Sequence, residues 1–327
     1  MLFNPSNRRK PLLQVENLHK SYWSKAKNSF KKARVRAIRD VSFTIFAGET
    51  YGLVGESGCG KSTLGKTLLR LTEQDSGSIL YEGNDLAKLS SKQLRHYRKE
   101  LQMVFQDPYS SLNPRIVVGE ALEEPLHVHR IGTPQERTER AMDMLAAVGL
   151  KREHYYSLPH QLSGGQRQRI GLARALIVHP KLVVCDEPVS ALDVIIQAQI
   201  IQLLKRLQHD MNLTYLFISH DISVVRHISD RIGVMYLGRL VEEGDTESLF
   251  QQPTHPYTKL LLSAVPVPDP FAVKKEWQQE GELPSPLEKI AGCSFHTRCP
   301  YATERCRLEE PEPKRVNEEH WAACHYA

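Results

Sequence analysis

The sequence predicts an α/β fold built on a mainly parallel sheet, and three observations carry that expectation. Short apolar, β-branched runs alternate with stretches of helical spacing. A glycine-rich loop separates one such run, 50–54, from a helical stretch that opens at Lys61. A second apolar run, 182–185, ends in the acidic pair Asp186-Glu187, which places two carboxylates at the carboxyl end of a buried strand.

The elements follow in order. Segments 15–18, 41–46 and 50–54 read as strands, being short, apolar and rich in β-branched residues. Residues 61–69 read as a helix, and 79–81 and 102–105 as further strands. Between 117 and 160, Ala121-Leu122, Leu126, Ala141-Met142 and Leu145-Ala146 recur at three-to-four spacing, so this stretch forms a helical subdomain inserted in the α/β layer. A helix from Gln166, a strand at 182–185, a helix over 194–209 and strands at 215–219, 232–236 and 240–242 complete the layer. After Val265, prolines 266, 268, 270, 284 and 286 mark a stiff connector, and a tail with four cysteines follows. No repeat with a period of 20–50 residues is present.

Composition bounds the function. The 327 residues suggest two domains at about 150 residues each. With 41% hydrophobic and 25% charged residues the chain is neither disordered nor collagen-like. No run of about 18 uncharged apolar residues occurs, since even 182–201 is broken by Asp186, Glu187 and Asp193. The start lacks a signal-peptide core, so a cytosolic location with reduced cysteines is expected. The net charge is +5, from 43 Lys/Arg against 38 Asp/Glu. Residues 1–40 carry eleven Lys/Arg and two acids, a local +9, which leaves −4 on the rest. A slightly acidic body argues against nucleic-acid binding, and the basic run 25–36 reads as a solvated loop.

Residues 55–62, GESGCGKS, fit G-x-x-x-x-G-K-[ST] in full. Such glycines let backbone N–H groups turn inward around phosphate oxygens, and the helix that follows adds its positive end. The segment Gly55, Glu56, Ser57, Gly58, Cys59, Gly60, Lys61, Ser62 and Thr63 is therefore assigned to the phosphates of a nucleotide. Lys61 reaches the β- and γ-phosphates and Ser62 ligates Mg²⁺. Asp186 also serves Mg²⁺, through water, and Glu187 suits a general base for an attacking water. Ser163, Gly164, Gly165 and Gln166, after Leu162, form a second anion cradle at the start of a helix. Cys59 lies in the cationic loop, which predicts an alkylation-sensitive thiol, whereas Cys185 in its strand reads as inert packing.

With these motifs, residues 12–244 resemble an ABC-transporter ATPase subunit, a P-loop NTPase cassette with a mainly parallel sheet, an antiparallel β part and a helical subdomain. The resemblance implies a cassette over 12–264. It makes Tyr22 the aromatic that stacks on adenine and Gln106 the loop glutamine that meets Mg²⁺ and senses the γ-phosphate. It makes Ser190-Ala191-Leu192-Asp193 the loop that crosses a dimer interface, and His220 the switch histidine. It also implies that each ATP is clamped between the phosphate loop of one subunit and the Leu-Ser-Gly-Gly-Gln segment of another, so that one chain closes no site alone.

Three further stretches resemble the dipeptide/oligopeptide importers, specifically the second of their two ATPases: 107–115, the His255-Pro256-Tyr257-Thr258 run, and 281–286 ahead of the cysteines. The implied assembly has a sister ATPase in a heterodimer, two membrane permeases and a periplasmic or extracellular substrate-binding protein. It places this chain peripherally on the cytoplasmic face of a bacterial inner membrane. The implied cargo is dipeptide or oligopeptide, with nickel, haem, microcin or cationic peptide as alternatives. A non-transport ABC ATPase is another reading, and the single Leu-Ser-Gly-Gly-Gln and the lack of a heptad run weigh against it; an iron–sulfur redox or sensing module that uses ATP as a switch is a third.

The tail, 265–327, carries Cys293, Cys299, Cys306 and Cys324 in C-x₅-C-x₆-C-x₁₇-C spacing. Zinc sites usually include a C-x₂₋₄-C pair, and none occurs here. Four thiolates at longer spacing are compatible with a [4Fe–4S] cluster, which the importer resemblance also implies; zinc and free thiols are the alternatives. His296 and His325 read as flanking histidines.

Overall fold

The computed structural model describes residues 10–25, 32–107, 112–265, 284 and 290–327. The proline connector, 108–111 of the 107–115 stretch, and all of 281–286 but Pro284 lie outside them. The strands are β1 (Pro11–Lys25), β2 (Lys32–Phe46), β3 (Thr50–Val54), β4 (Ser76–Tyr81), β5 (Asn84–Asp85), β6 (Leu101–Val104), β7 (Leu182–Asp186), β8 (Thr214–Ser219), β9 (Arg231–Tyr236), β10 (Arg239–Asp245), β11 (Lys314–Arg315) and β12 (Trp321–Ala322). The chain forms two compact units, one of Met1–Phe46, Thr50–Lys88 and Ser219–Ala327, the other of Ala47–Glu49 and Leu89–Ile218.

In the first unit, β2, β1, β4 and β5 form an antiparallel sheet in that order. Leu13 and Val15 are buried while Glu16 is exposed, the alternation of a half-buried strand. β1 and β2 are much longer than the expected 15–18 and 41–46. They pair with each other as far as Lys25 and Lys32, through register shifts near Leu18 and Lys20. Beyond Leu18 the ribbon keeps a period-two pattern in β2, with Val35 and Ala37 half-buried between the exposed Arg34 and Arg36, and the interleaved basic residues made the stretch read as a solvated loop. Arg34, within the expected loop, pairs with Asp75 at 3.0 Å.

The same unit holds β3 and β9 in parallel register, Val54 opposite Val234. β9 turns into β10 through Leu237 and Gly238, whose φ values of 42° and 86° suit a tight hairpin. The tail supplies β12, which pairs with β10 at Glu242↔Ala322, and β11 pairs with β12.

In the second unit, β6, β7 and β8 run parallel, with Leu101, Leu182 and Thr214 aligned. Every residue of β7 and β8 is buried, as their unbroken apolar runs require. The helical subdomain contains Val118–Val128 and Pro134–Ala147. Thr133 and Glu136 close a capping box at the start of the latter helix. Glu123 accepts hydrogen bonds from Thr138 Oγ1 and Tyr155 Oη, at 2.7 and 2.5 Å. Among the described residues no helix is long and apolar enough to cross a membrane.

Buried polar groups join the tail to β10. The Glu242 carboxylate accepts from the N–H groups of Thr254 and His255 and from His320 Nε2, at 2.7, 2.9 and 2.7 Å. Glu243 takes Arg231 and Trp321 Nε1, the latter at 3.2 Å. His255 Nδ1 accepts from Tyr257 N–H at 3.1 Å and caps the helix Pro256–Ser263, which requires an unprotonated Nδ1. Burial pushes this imidazole down from 6.5 to about 4. The unfolded chain therefore binds a proton near pH 6.5 that the native chain refuses until about pH 4. The His255 contribution is complete above pH 6.5 and is lost as pH falls towards 4. Thermal melts between pH 7 and 4.5 should show wild type losing up to about 1.4 kcal/mol per pH unit in this window. The slope should be shallower in His255→Asn, which keeps a cap acceptor that does not titrate.

Candidate nucleotide site and four-thiol cavity

The phosphate loop leaves the fully buried β3 and enters the helix Lys61–Leu68. Gly60 is the residue before that helix, with φ 111°. A Cβ there would sit 2.1 Å from the Ala37 carbonyl oxygen, and one on Gly55 would sit 2.1 Å from that of Met235. The loop is thus pressed against backbone on two sides, which requires glycine at both positions. Lys61 is 4% exposed, and its Nζ donates to the carbonyls of Gly55 and Glu56 at 2.6 and 3.0 Å. Ser62 and Thr63 are half-buried on the first helical turn, and Ser57 and Gly58 are exposed at the loop tip. The exposed tip and the left-handed Gly58 and Gly60 make a backbone cradle that fits phosphate oxygens.

Cys59 does not have the setting of a reactive thiol. It is 5% exposed, and burial pushes its pKa up despite Lys61 nearby. The loop wraps its side chain inward, so the cationic surroundings expected to activate it are outweighed by desolvation. Cys185 is fully buried, and its thiol is likewise pushed up by burial.

Two residues that sequence reasoning left out of the site hold Glu56. Its N–H donates to Tyr257 Oη at 2.8 Å. Its carboxylate accepts from both terminal nitrogens of Arg298 at 2.7 and 2.8 Å. The guanidinium lies over Tyr236 and Phe295, 5.9 and 5.8 Å from their ring centres. The only signals available in the sequence were the His-Pro-Tyr-Thr run, read as a subfamily mark, and an arginine beside Cys299.

Elsewhere in this unit, Tyr22 is 40% exposed in β1 opposite Val35, and Lys20 Nζ lies 5.2 Å from its ring centre. His220 is exposed directly after β8, and Asp221 caps the following helix through Ser223 N–H at 2.8 Å.

In the second unit, Asp186 ends β7 and is 3% exposed. Glu187 follows with φ 46°, a left-handed conformation that costs a non-glycine residue and turns the chain abruptly out of the sheet. Its N–H donates to the Ile218 carbonyl at 3.0 Å. Gln106 Nε2 donates to Glu187 Oε2 at 2.8 Å, joining residues 81 positions apart. Ser163 accepts from Gln166 N–H at 3.3 Å while Gln166 Oε1 accepts from Ser163 N–H at 2.9 Å, a reciprocal cap on the helix Gly164–Leu176. Gln166 also meets His154 at 3.3 Å. Ser163 is exposed on this turn, and Gly164 and Gly165 are half-buried. Asp193 caps the helix Val194–Met211, whose first residues Val194 and Ile195 are 79% and 72% exposed.

The four tail cysteines line one cavity of about 100 Å³ with His296, His325 and Phe295. Burial pushes Cys293 up to about 11 and also raises Cys299. His296 Nδ1 is 2.8 Å from the Cys293 carbonyl and His325 Nε2 is 2.9 Å from that of Glu309, so both rings are engaged with backbone. Among the described residues no three His, Cys, Asp or Glu side chains are arranged to hold a metal ion.

Comparison with known proteins agrees with this layout. The family described as ABC transporter matches residues 38–190, and the one described as oligopeptide/dipeptide transporter, C-terminal region, matches 241–306. The oligopeptide transport ATP-binding protein AppF of Bacillus subtilis is 53% identical over 298 residues, covering 90% of this chain and 91% of its own length. The di/tripeptide transport ATP-binding protein DppF of Pseudomonas aeruginosa is 50% identical, with the same coverage of 90% and 91%. The oligopeptide transport ATP-binding protein OppF of Haemophilus influenzae is 48% identical, covering 98% of each chain. Among solved structures, the post-hydrolysis dimer of the ATP-binding cassette MJ0796 matches with a TM-score of 0.64 at 30% identity, over 72% of this chain and 98% of that one. CbiO1 of Clostridium perfringens matches with a TM-score of 0.64 at 27% identity, over 74% and 92%. A phosphate loop, a carboxylate-tipped parallel sheet, and relatives near 50% identity along almost the whole chain lead to one conclusion: the chain belongs to the ATP-binding subunits of the oligopeptide/dipeptide ABC transporters.

Proposed function

We propose that this chain hydrolyses ATP to drive import of dipeptides or oligopeptides, with Glu187 as general base. The observation that carries the reading is the Gln106–Glu187 hydrogen bond of 2.8 Å beside Asp186 at the end of a buried strand. Hydrolysis needs a carboxylate of fixed direction that takes a proton from water as the water attacks phosphorus. The left-handed backbone at Glu187 and the amide of Gln106 together supply that direction. Lys61 and the loop amides hold the phosphates, Ser62 and Asp186 are assigned to Mg²⁺, Gln106 and His220 report on the γ-phosphate, and Tyr22 carries the adenine. Bound Mg²⁺ supplies charge neutralisation on the phosphates.

Partnership with a sister ATPase has separate support. The chain has one phosphate loop and one Leu-Ser-Gly-Gly-Gln segment. Val194 and Ile195, next to Ser190–Asp193, leave apolar surface exposed, as a subunit interface does. Two permeases hold the pair at the cytoplasmic face of the inner membrane, and a substrate-binding protein delivers the peptide.

For the tail, the donor set of four thiols around one cavity suits a [4Fe–4S] cluster. A [4Fe–4S] cluster is held by four cysteine thiolates, whereas structural zinc sites usually include a C-x₂₋₄-C pair, which this tail lacks. Ligation would require the thiols as thiolates, with their protons released to solvent, against the burial that raises Cys293.

Two experiments test these assignments. In the assembled transporter, Glu187→Gln should bind ATP as wild type does and lose about 10²-fold or more in turnover. Wild-type turnover in that variant would refute the base. Protein purified without oxygen should contain iron and acid-labile sulfide in equal amounts and lose both in Cys299→Ser. Zinc, or no metal, in the unaltered protein would overturn the cluster.

A further inference from the structure

The cysteine-bearing tail reaches the nucleotide loop by a route that the roles above do not use. Arg298 is 5% exposed and grips Glu56, the second residue of the phosphate loop, with both terminal nitrogens. This fork-on-fork geometry is strong and directional. The arginine is itself fixed. Its N–H donates to the Phe295 carbonyl at 3.0 Å, and its guanidinium lies over two rings packed edge to face, Tyr236 and Phe295, with centres 5.2 Å apart. Tyr257, 4.6 Å from Tyr236 between ring centres, takes the Glu56 N–H from a second direction. Glu56 is thereby held through side chain and backbone, and Lys61 Nζ rests on the carbonyls of Gly55 and Glu56.

Charge makes the arrangement consequential. A carboxylate in a loop that cradles a triphosphate repels its ligand, at a distance where screening by salt is weak. Pairing with a buried guanidinium neutralises it and holds the side chain on Arg298.

We propose that Arg298 is a positioning residue for the phosphate loop: it acts through Glu56, neutralising that carboxylate and fixing the loop, so that the tail forms part of the nucleotide site. The proposal rests on the assignment of residues 55–63 to ATP phosphates.

The test measures binding of a fluorescent ATP analogue, and KM and kcat for ATP, in the full-length chain within its assembly. Arg298→Ala should weaken ATP binding about fivefold or more and raise KM in step, with kcat at saturating ATP changed less than about twofold. Adding Glu56→Gln to Arg298→Ala should restore most of the affinity, because the stranded charge is gone. Arg298→Lys, which keeps the charge and loses the fork, should fall between wild type and Arg298→Ala. A tail that serves only as packing predicts no rescue by Glu56→Gln, so absence of rescue overturns the proposal, as does wild-type affinity in Arg298→Ala. Arg298→Lys guards against misfolding: a loss as large as that of Arg298→Ala also counts against the charge-based role. Lys61→Ala separates the two levels of the argument. Undiminished ATP binding there refutes the phosphate-site assignment itself, whereas loss there with no effect of Arg298→Ala refutes only the clamp.

Discussion

The nucleotide loop is shaped by close approach of backbone to backbone. At Gly55 and Gly60 there is no room for even a methyl group, because the carbonyls of Met235 and Ala37 stand where it would go. The loop is wedged between the end of β9 and the β2 ribbon, and its curvature follows from that confinement. Much of the first unit serves this wedge. β3 delivers the loop from a fully buried strand, Gly238 N–H holds the Cys59 carbonyl at 2.8 Å, and the β9–β10 hairpin places Met235. Burial of Cys59 is a by-product, and it leaves the thiol quiet where charge alone would have woken it.

The tail belongs to the same compact unit as the loop. It is too small to build a large core, and its attachments are correspondingly polar and buried: His320 on Glu242, Trp321 on Glu243, Arg298 on Glu56. Such contacts stabilise weakly on balance but are costly to half-remove, since a stranded buried charge is strongly destabilising. They specify where the tail sits more than how tightly it is held.

How far the sequence could be read depended on the kind of interaction. Parallel strands such as 182–186 were legible because burial on both faces leaves an apolar run. The phosphate-loop motif and the acidic pair after β7 could be picked out because they are particular residues at fixed spacing beside apolar strands. The β1–β2 ribbon was underestimated because the basic residues of Lys32 to Arg36 masked its period-two alternation with Ala33 and Val35, and the pairing with β1 reveals it as strand. Gln106 and Glu187 could be named singly, but their hydrogen bond is a matter of three dimensions. Arg298 and Tyr257 were illegible as site residues. Each acts on a loop about 200 or more positions away, at 242 and 201 residues of separation, and neither carries a motif that announces it.

The two residues of β12 have an effect out of proportion to their length. By pairing along β10 at Glu242 and Glu243 they occupy what would otherwise be a bare edge of the sheet, and β11 adds a further two residues outside them. An uncovered strand edge is a template for another chain's backbone. The C-terminal segment is therefore also a guard against misassembly: a chain that ends before Lys314 would present the ladder groups of β10 to its neighbours, and its failure would be seen as insolubility before any loss of catalysis.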